Sequence, residues 1–434
     1  MPASHSLTPA LPAPAPGKRN LLVLDGGMGT TLQAPPFSLA LDSALWSSEL
    51  LASDDGRQQL RTLHDTWIDA GSDIVQTCTY QSTLPLFLPP SDAPASSETL
   101  DTARETMRAA LPVANSSASS ASSSASPSSA ERRARVALSL GPYGSSLQPG
   151  QEYTGAYPPP FGPASTAAPG ARPGCSSVAL EACPLPLDLV GGEFQATTEA
   201  ERHLAAWHLQ RLQHLAADAG QVDVVAFETV PSLTEVRAIR RAMHAFTASS
   251  TSWKKPLPFY ISFVFPRTSD QDAAVRFPDP ALAHLATLAE QAPVLVRAAL
   301  DTASIEQGYA RPGGIGFNCT SPLHARRVVD LLSREVVALR ESERADEDAS
   351  SRPWLLGYPD GGAVYDVVSR SWHHPTGLTD ASWATLVADA VAEAVPTGKG
   401  QEDTWAGVIV GGCCKAGPGA IKALRQEVER RGWR

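Results

Sequence analysis

Eight short apolar runs, each followed by an amphipathic stretch of helical period, set the tightest limit on what this chain folds into. The runs occupy 21–25, 73–78, 135–140, 222–228, 259–264, 314–318, 354–358 and 407–411. They are nearly continuous in hydrophobicity rather than alternating, the pattern of parallel strands covered on both faces. Between them, 56–70, 97–110, 198–219, 232–248, 280–291, 322–340, 381–394 and 418–431 carry apolar residues at helical spacing. Pro322 and Pro418 stand where a first helical turn tolerates proline. Eight strand–helix units predict a single α/β domain, a (β/α)8 barrel. Periodicity does not establish closure, so a doubly wound open sheet fits the same pattern.

Length and charge narrow the class. A barrel of this kind commonly exceeds 200 residues as one domain, so 434 residues do not require two. Residues 19–434 are expected to form the barrel domain, with surface insertions at 112–130, 157–187 and 341–352. The first insertion is almost pure Ser/Ala over 115–129, the second is rich in Pro, Gly and small residues, and the third is charged. Residues 1–18, rich in Pro and Ala, read as a disordered tail with neither signal-peptide nor transit-peptide character. The net charge of −10, without a long basic run, argues against nucleic acid or an anionic membrane as partner. No apolar run approaches the ~20 residues of a membrane span. Six cysteines are too few for a disulfide scaffold, and a reducing, cytoplasmic setting is expected. The chain is expected as a monomer or homo-oligomer.

The unusual polar residues gather at strand ends. Asp25 closes the first run, Thr77 and Thr79 the second, and Glu228 the fourth; Asn318-Cys319 ends the sixth, Asp360 follows the seventh, and Cys413-Cys414 follow the eighth. In a barrel these positions share the C-terminal rim, where such folds place their chemistry. Cys319, Cys413 and Cys414 can converge as three thiolates on one metal ion with the fourth position open, as in catalytic zinc sites. The plainer reading is that free cysteines are buried as small hydrophobes. The Asp25-Gly26-Gly27 segment matches no phosphate-binding motif, and its glycines either admit a small ligand or simply make a turn. Glu228 is costly on an apolar strand unless solvated or paired, and a salt bridge inside the barrel is its structural alternative. His203, His208 and His214 do not share a helical face and are expected at the surface; Cys78 is expected in the core, and Cys175 and Cys183 as incidental thiols.

Together these segments resemble the homocysteine S-methyltransferase family. The matching strings are Leu24-Asp25-Gly26-Gly27-Met28-Gly29-Thr30, Thr77-Cys78-Thr79-Tyr80-Gln81-Ser82, Ser139-Leu140-Gly141-Pro142-Tyr143-Gly144 and Glu152-Tyr153-Thr154-Gly155. Phe227-Glu228-Thr229-Val230-Pro231, Gly316-Phe317-Asn318-Cys319-Thr320-Ser321-Pro322 and Gly411-Gly412-Cys413-Cys414 complete the set. The third and fourth strings point to the branch that uses S-methylmethionine or S-adenosylmethionine. Two places depart from the family pattern: Lys415-Ala416-Gly417-Pro418 after the cysteine pair, and Asp360 in Tyr358-Pro359-Asp360.

The resemblance implies a zinc ion on Cys319, Cys413 and Cys414 that takes homocysteine sulfur as its fourth ligand. A sulfonium donor then methylates that thiolate, giving methionine. It implies Asp25 and Glu228 as receptors for the substrate's α-ammonium group. The Gly26-Gly27 amides are assigned to its carboxylate, and Thr79 and Asn318 are candidate substrate contacts. A betaine-type or other thiol methyltransferase, or a non-catalytic zinc or redox protein, are the alternatives; the last predicts a disulfide or a fourth protein ligand.

Overall fold

The structure, a computed structural model, describes residues 5–90, 93–120, 133–190, 198–217, 220–250, 256–266, 275–343, 352–366, 371–373, 377–397 and 403–434. Its main sheet has eight parallel strands: Leu21–Val23, Ile74–Gln76, Arg135–Leu140, Val224–Val230, Phe259–Val264, Gly314–Asn318, Trp354–Tyr358 and Val408–Val410. Each pairs with its neighbour in chain order, and the first pairs with the last. The remaining seam is closed by a bridge between Leu24 and Ile74, with the Asp25 amide donating to the Ile74 carbonyl at 3.1 Å. The sheet is a barrel, and the open-sheet alternative is ruled out.

The continuous apolar runs reflect two cores. Leu22, Leu24, Ile74, Ala226, Leu356 and Ile409 fill the barrel interior, while Leu21, Val23, Val225, Leu355 and Val410 face the surrounding helices. Alternate residues of one strand thus enter different apolar layers, which removes the polar face that would have produced alternation. Seven of the described helices begin on a Ser or Thr whose side chain accepts a backbone amide of the first turn: Ser53, Ser96, Ser176, Thr198, Ser232, Thr287 and Thr379.

Several expectations need correction. The helix expected over 280–291 is instead a short 3₁₀ turn at Pro280–Leu282 and a helix at Leu288–Leu300. A reciprocal cap between Thr287 and Glu290 sets the true start, and it outweighs the apolar spacing upstream. The insertion at 112–130 is not all excursion, because Ala110–Ser120 is helical and buries Val113, Ala114 and Ala118 beside the helix Asp54–Asp69. Its alanines favour helix and supply the small buried face; 121–132 lie outside the described residues.

The expected disordered tail is partly ordered. Leu7 and Leu11 are buried among residues of the barrel interior, His5 pairs with Pro312, and the Trp354 indole donates to Thr8 Oγ1 at 3.1 Å. This segment caps the end of the barrel opposite the cysteines. The insertion at 157–187 is irregular but packed. Tyr157 and Cys183 are buried, and Arg172–Pro173 forms a two-residue ribbon with Leu147–Gln148. At 341–352, the helix Pro322–Glu343 runs into the insertion, and 344–351 lie outside the described residues. Among the described residues no helix is long and apolar enough to cross a membrane.

Candidate metal and substrate site

The sixth and eighth strands bring the three predicted cysteines together. Asn318 ends the sixth strand and Cys319 turns out of it with φ +45°; Cys413 and Cys414 follow the eighth. All three Sγ atoms lie within 4.8 Å of one another, and those of Cys319 and Cys414 are 3.9 Å apart. In the structure Cys319 and Cys413 are joined as a disulfide with Cα atoms 5.5 Å apart, while Cys414 is a free thiol. A tetrahedral zinc with Zn–S bonds of ~2.3 Å separates its sulfurs by about 3.8 Å. The Cys319–Cys414 spacing matches that edge, and the Cys413 sulfur lies within 4.8 Å of both. Three soft donors with no fourth protein ligand among the described residues fit an open zinc site.

The cysteine loop is fixed by backbone contacts from two other rim loops. Gly412 donates to the Asp25 carbonyl at 2.9 Å and Cys413 to the Pro359 carbonyl at 2.8 Å; Gly361 donates to the Cys414 carbonyl at 2.8 Å. The two departures from the family pattern fall on this lashing. Asp360 turns its carboxylate to the Gly362 amide at 2.8 Å, and the Lys415 amide donates to Thr30 Oγ1 at 2.9 Å. Because the contacts that hold the cysteines are main-chain, side-chain identity there has little leverage on them.

The sulfurs open onto a cavity of about 370 Å³. Glu228 reaches it because the fourth strand breaks register with the fifth between Phe227 and Val230, a bulge in which Thr229 takes φ +57°. Ser139 Oγ donates to Glu228 Oε1. Burial raises the Glu228 pKa, against hydrogen bonding from Ser139, Gln76 and Tyr358. No salt bridge to Glu228 occurs among the described residues, so the structural alternative for this carboxylate fails.

Asp25 sits behind the cavity wall. Its Oδ2 accepts the Gln76 amide at 2.7 Å, and its Oδ1 is buried without a partner. Burial pushes its pKa well up, and the nearby Glu228 charge adds to that. Two buried carboxylates whose charges oppose each other would both be stabilised by a cation near them.

Other expected contacts divide. Asn318 lines the cavity but also braces it: its Oδ1 accepts the Thr229 amide at 2.7 Å, and its Nδ2 donates to Thr229 Oγ1 at 2.8 Å and approaches Cys413 Sγ at 3.6 Å. Thr79 does not line the cavity; its hydroxyl donates to the Ser139 carbonyl at 2.7 Å and meets Thr77 Oγ1 at 2.6 Å. The Gly27 amide donates to the Ala416 carbonyl at 3.0 Å, so it is spoken for and is no carboxylate receptor. Gly26 serves by its lack of a side chain, since a Cβ would come within 2.2 Å of the Ala416 carbonyl oxygen.

Cys78 is buried as expected and also borders the cavity. His208, expected at the surface, is fully buried, with Nε2 2.9 Å from Glu235 Oε1. Glu235 also accepts the Tyr143 amide at 2.7 Å and the Tyr157 hydroxyl at 2.6 Å, tying the second insertion to the barrel. Residue spacing alone missed Trp46, Tyr80, Glu152 and Tyr153 as cavity walls, although the last three stand inside strings that carried the family resemblance.

Comparisons with known proteins agree with this geometry. The family profile described as homocysteine S-methyltransferase matches residues 22–428. The chain is similar to homocysteine S-methyltransferase 3 of Zea mays, 25% identical over 94% of this chain and 90% of that one. It is similar to homocysteine S-methyltransferase 2 of Arabidopsis thaliana, 24% identical over 94% and 93%. It is also similar to a selenocysteine Se-methyltransferase of Brassica oleracea var. italica, 23% identical over 94% and 89%. Among solved structures, the oxidized form of the homocysteine methyltransferase MmuM from Escherichia coli aligns with TM-score 0.55 and 19% identity over 94% of this chain and 96% of that one. Its metallated form aligns with TM-score 0.54 and 18% identity over 94% and 97%. At such identities these two show a shared fold.

Proposed function

The chain belongs to the homocysteine S-methyltransferase family, and from that premise we propose that it uses zinc on Cys319, Cys413 and Cys414 to methylate L-homocysteine from a sulfonium donor, S-methylmethionine or S-adenosylmethionine. The observation that carries this reading is three cysteine sulfurs converging on a cavity with carboxylates and no basic side chain in its described lining. Zinc bound by three thiolates supplies an open fourth position at which a thiol loses its proton at neutral pH.

The chain's own residues then do the positioning. Glu228, with Asp25 behind it, receives the α-ammonium group of homocysteine and thereby fixes the amino-acid end of the substrate. Asn318 holds Thr229 and orients Cys413. The homocysteine sulfur lone pair forms the new S–CH₃ bond, and the donor's S–CH₃ bond breaks with its pair left on the donor sulfur. The leaving group is a neutral thioether, so no general acid is needed, in keeping with a cavity that offers no histidine among its described walls. Catalysis is then mainly a matter of in-line placement.

Cys319 and Cys413 must be thiols for this role, which suits a reducing, cytoplasmic setting. The test is metal content after reduction and loading: about one zinc per chain in the wild type, and loss in Cys413→Ser and Cys414→Ser. Full occupancy in the double variant would remove zinc from the reading.

A further inference from the structure

Glu152 is the most exceptional carboxylate that this account leaves unused. It stands on the wall of the same cavity, and its Oε2 is out of solvent with no hydrogen-bond partner. The position is held from below. Gln151 is buried and donates its amide to the Gly144 carbonyl at 2.9 Å. Gly144 allows that approach, because a Cβ there would come within 2.6 Å of the Glu152 amide nitrogen. Burial lifts the Glu152 pKa to about 7. A carboxylate with one oxygen shut off from solvent and unpartnered is costly unless a ligand completes it.

The surroundings specify that ligand. Tyr80, Tyr153 and Trp46 line the cavity with Glu152, and the Trp46 and Tyr80 rings meet edge-on at 6.5 Å. Glu152, Tyr80 and Tyr153 are close enough to Cys414 to share its electrostatic field. A cation seated here therefore lies within the field of the Cys414 sulfur. Aromatic faces suit a weakly hydrated cation bearing alkyl groups, whereas an ammonium group asks for matched acceptors. We propose that Glu152, with the rings of Tyr80 and Tyr153, is the receptor for the sulfonium centre of the methyl donor. This rests on the function proposed above and assigns a donor subsite in the cavity that Glu228 also lines.

The charge logic predicts how the site shows itself. The sulfonium loses its charge as the methyl leaves, so the carboxylate charge that a bound cation favours at Glu152 stabilises bound donor at least as much as the transition state. Glu152 therefore governs donor affinity rather than turnover.

The test uses zinc-loaded full-length enzyme and calorimetric titration with S-methylmethionine and with methionine, which keeps the amino-acid end but lacks the sulfonium. Glu152→Gln should raise the Kd and KM for S-methylmethionine by ~10- to 100-fold, the range for losing one contact to a charged group. It should leave kcat within a few-fold, and methionine affinity, homocysteine KM and zinc content unchanged. Glu152→Asp, which keeps the charge, should recover part of the loss and serves if the Gln variant folds poorly. Equal weakening toward both ligands would place the donor's ammonium at Glu152, and unchanged S-methylmethionine binding in a folded variant would leave it no donor role; either overturns the proposal. If the wild type makes no methionine from any sulfonium donor, the proposed function fails instead, and the comparison of the two ligands still reads Glu152 on its own.

Discussion

Thr229, Cys319 and Lys415 hold left-handed backbone conformations that residues with a Cβ rarely adopt, and all three stand at strand ends around the same sulfurs. Such strain costs roughly 1–3 kcal/mol per residue and persists only where surrounding contacts impose it. For Thr229 the imposing contacts are its two hydrogen bonds with Asn318, one donated and one accepted, and the consequence is a Glu228 carboxylate aimed into the cavity. Glu228→Gln should therefore raise homocysteine KM while leaving zinc content unaltered. A contact to a charged group is worth about 1.5–3 kcal/mol, so the rise should be about 10- to 100-fold. Thr79 offers the contrast. Its hydroxyl serves the Ser139 carbonyl rather than the cavity, so Thr79→Val should lower thermal stability by about 1–3 kcal/mol and leave homocysteine KM nearly unchanged. A homocysteine KM that rises in Thr79→Val and stays constant in Glu228→Gln would reverse these assignments.

At the scale of elements, the N-terminal segment carries the clearest prediction. Leu7 and Leu11 are buried against the lower barrel interior, and full burial of such a side chain is worth about 1.5–3 kcal/mol. Removing residues 1–12 should cost about 3–6 kcal/mol in chemical denaturation while zinc binding at the opposite rim survives in the folded fraction. An unchanged denaturation midpoint would show that the plug contributes nothing. This element also marks the limit of what the chain's order reveals. The strands were legible because being covered on both faces makes them continuously apolar, and the runs at 135–140, 259–264, 314–318 and 354–358 coincide with strands end to end. Two leucines spaced among prolines carry no such period, and their burial depends on a barrel end far away in sequence. The cysteines were legible for a related reason, since residues just past parallel strands share one rim. Their disulfide, the bulge that turns Glu228 inward and the seat of Glu152 depend on tertiary contacts that no local pattern encodes.

For the molecule as a whole, sealing ionisable groups inside two cores couples stability to pH with opposing signs. Burial lowers the pKa of His5, His64 and His208, that of His64 to about 4. Above pH ~6.5, the ordinary histidine value, His64 is neutral in both folded and unfolded chains and adds no pH dependence. Below it the unfolded chain takes up a proton that the folded chain refuses until about pH 4, so stability falls with falling pH across that window. The raised carboxylates act the other way. Glu152 remains protonated in the folded chain up to about pH 7, while its unfolded counterpart ionises near 4.5, so its contribution shrinks as pH rises between the two. Wild-type denaturation curves therefore mix both slopes, and a single variant separates them. His64 is buried with its Nδ1 unpartnered, so His64→Leu deletes the titration without orphaning a partner at that atom. The stability of His64→Leu minus that of wild type should be flat above pH ~6.5 and grow by up to about 1.4 kcal/mol per pH unit down to about pH 4. A difference that stays constant from pH 7 to pH 4 would mean that His64 accepts its proton inside the folded chain and that this core is not sealed against acid.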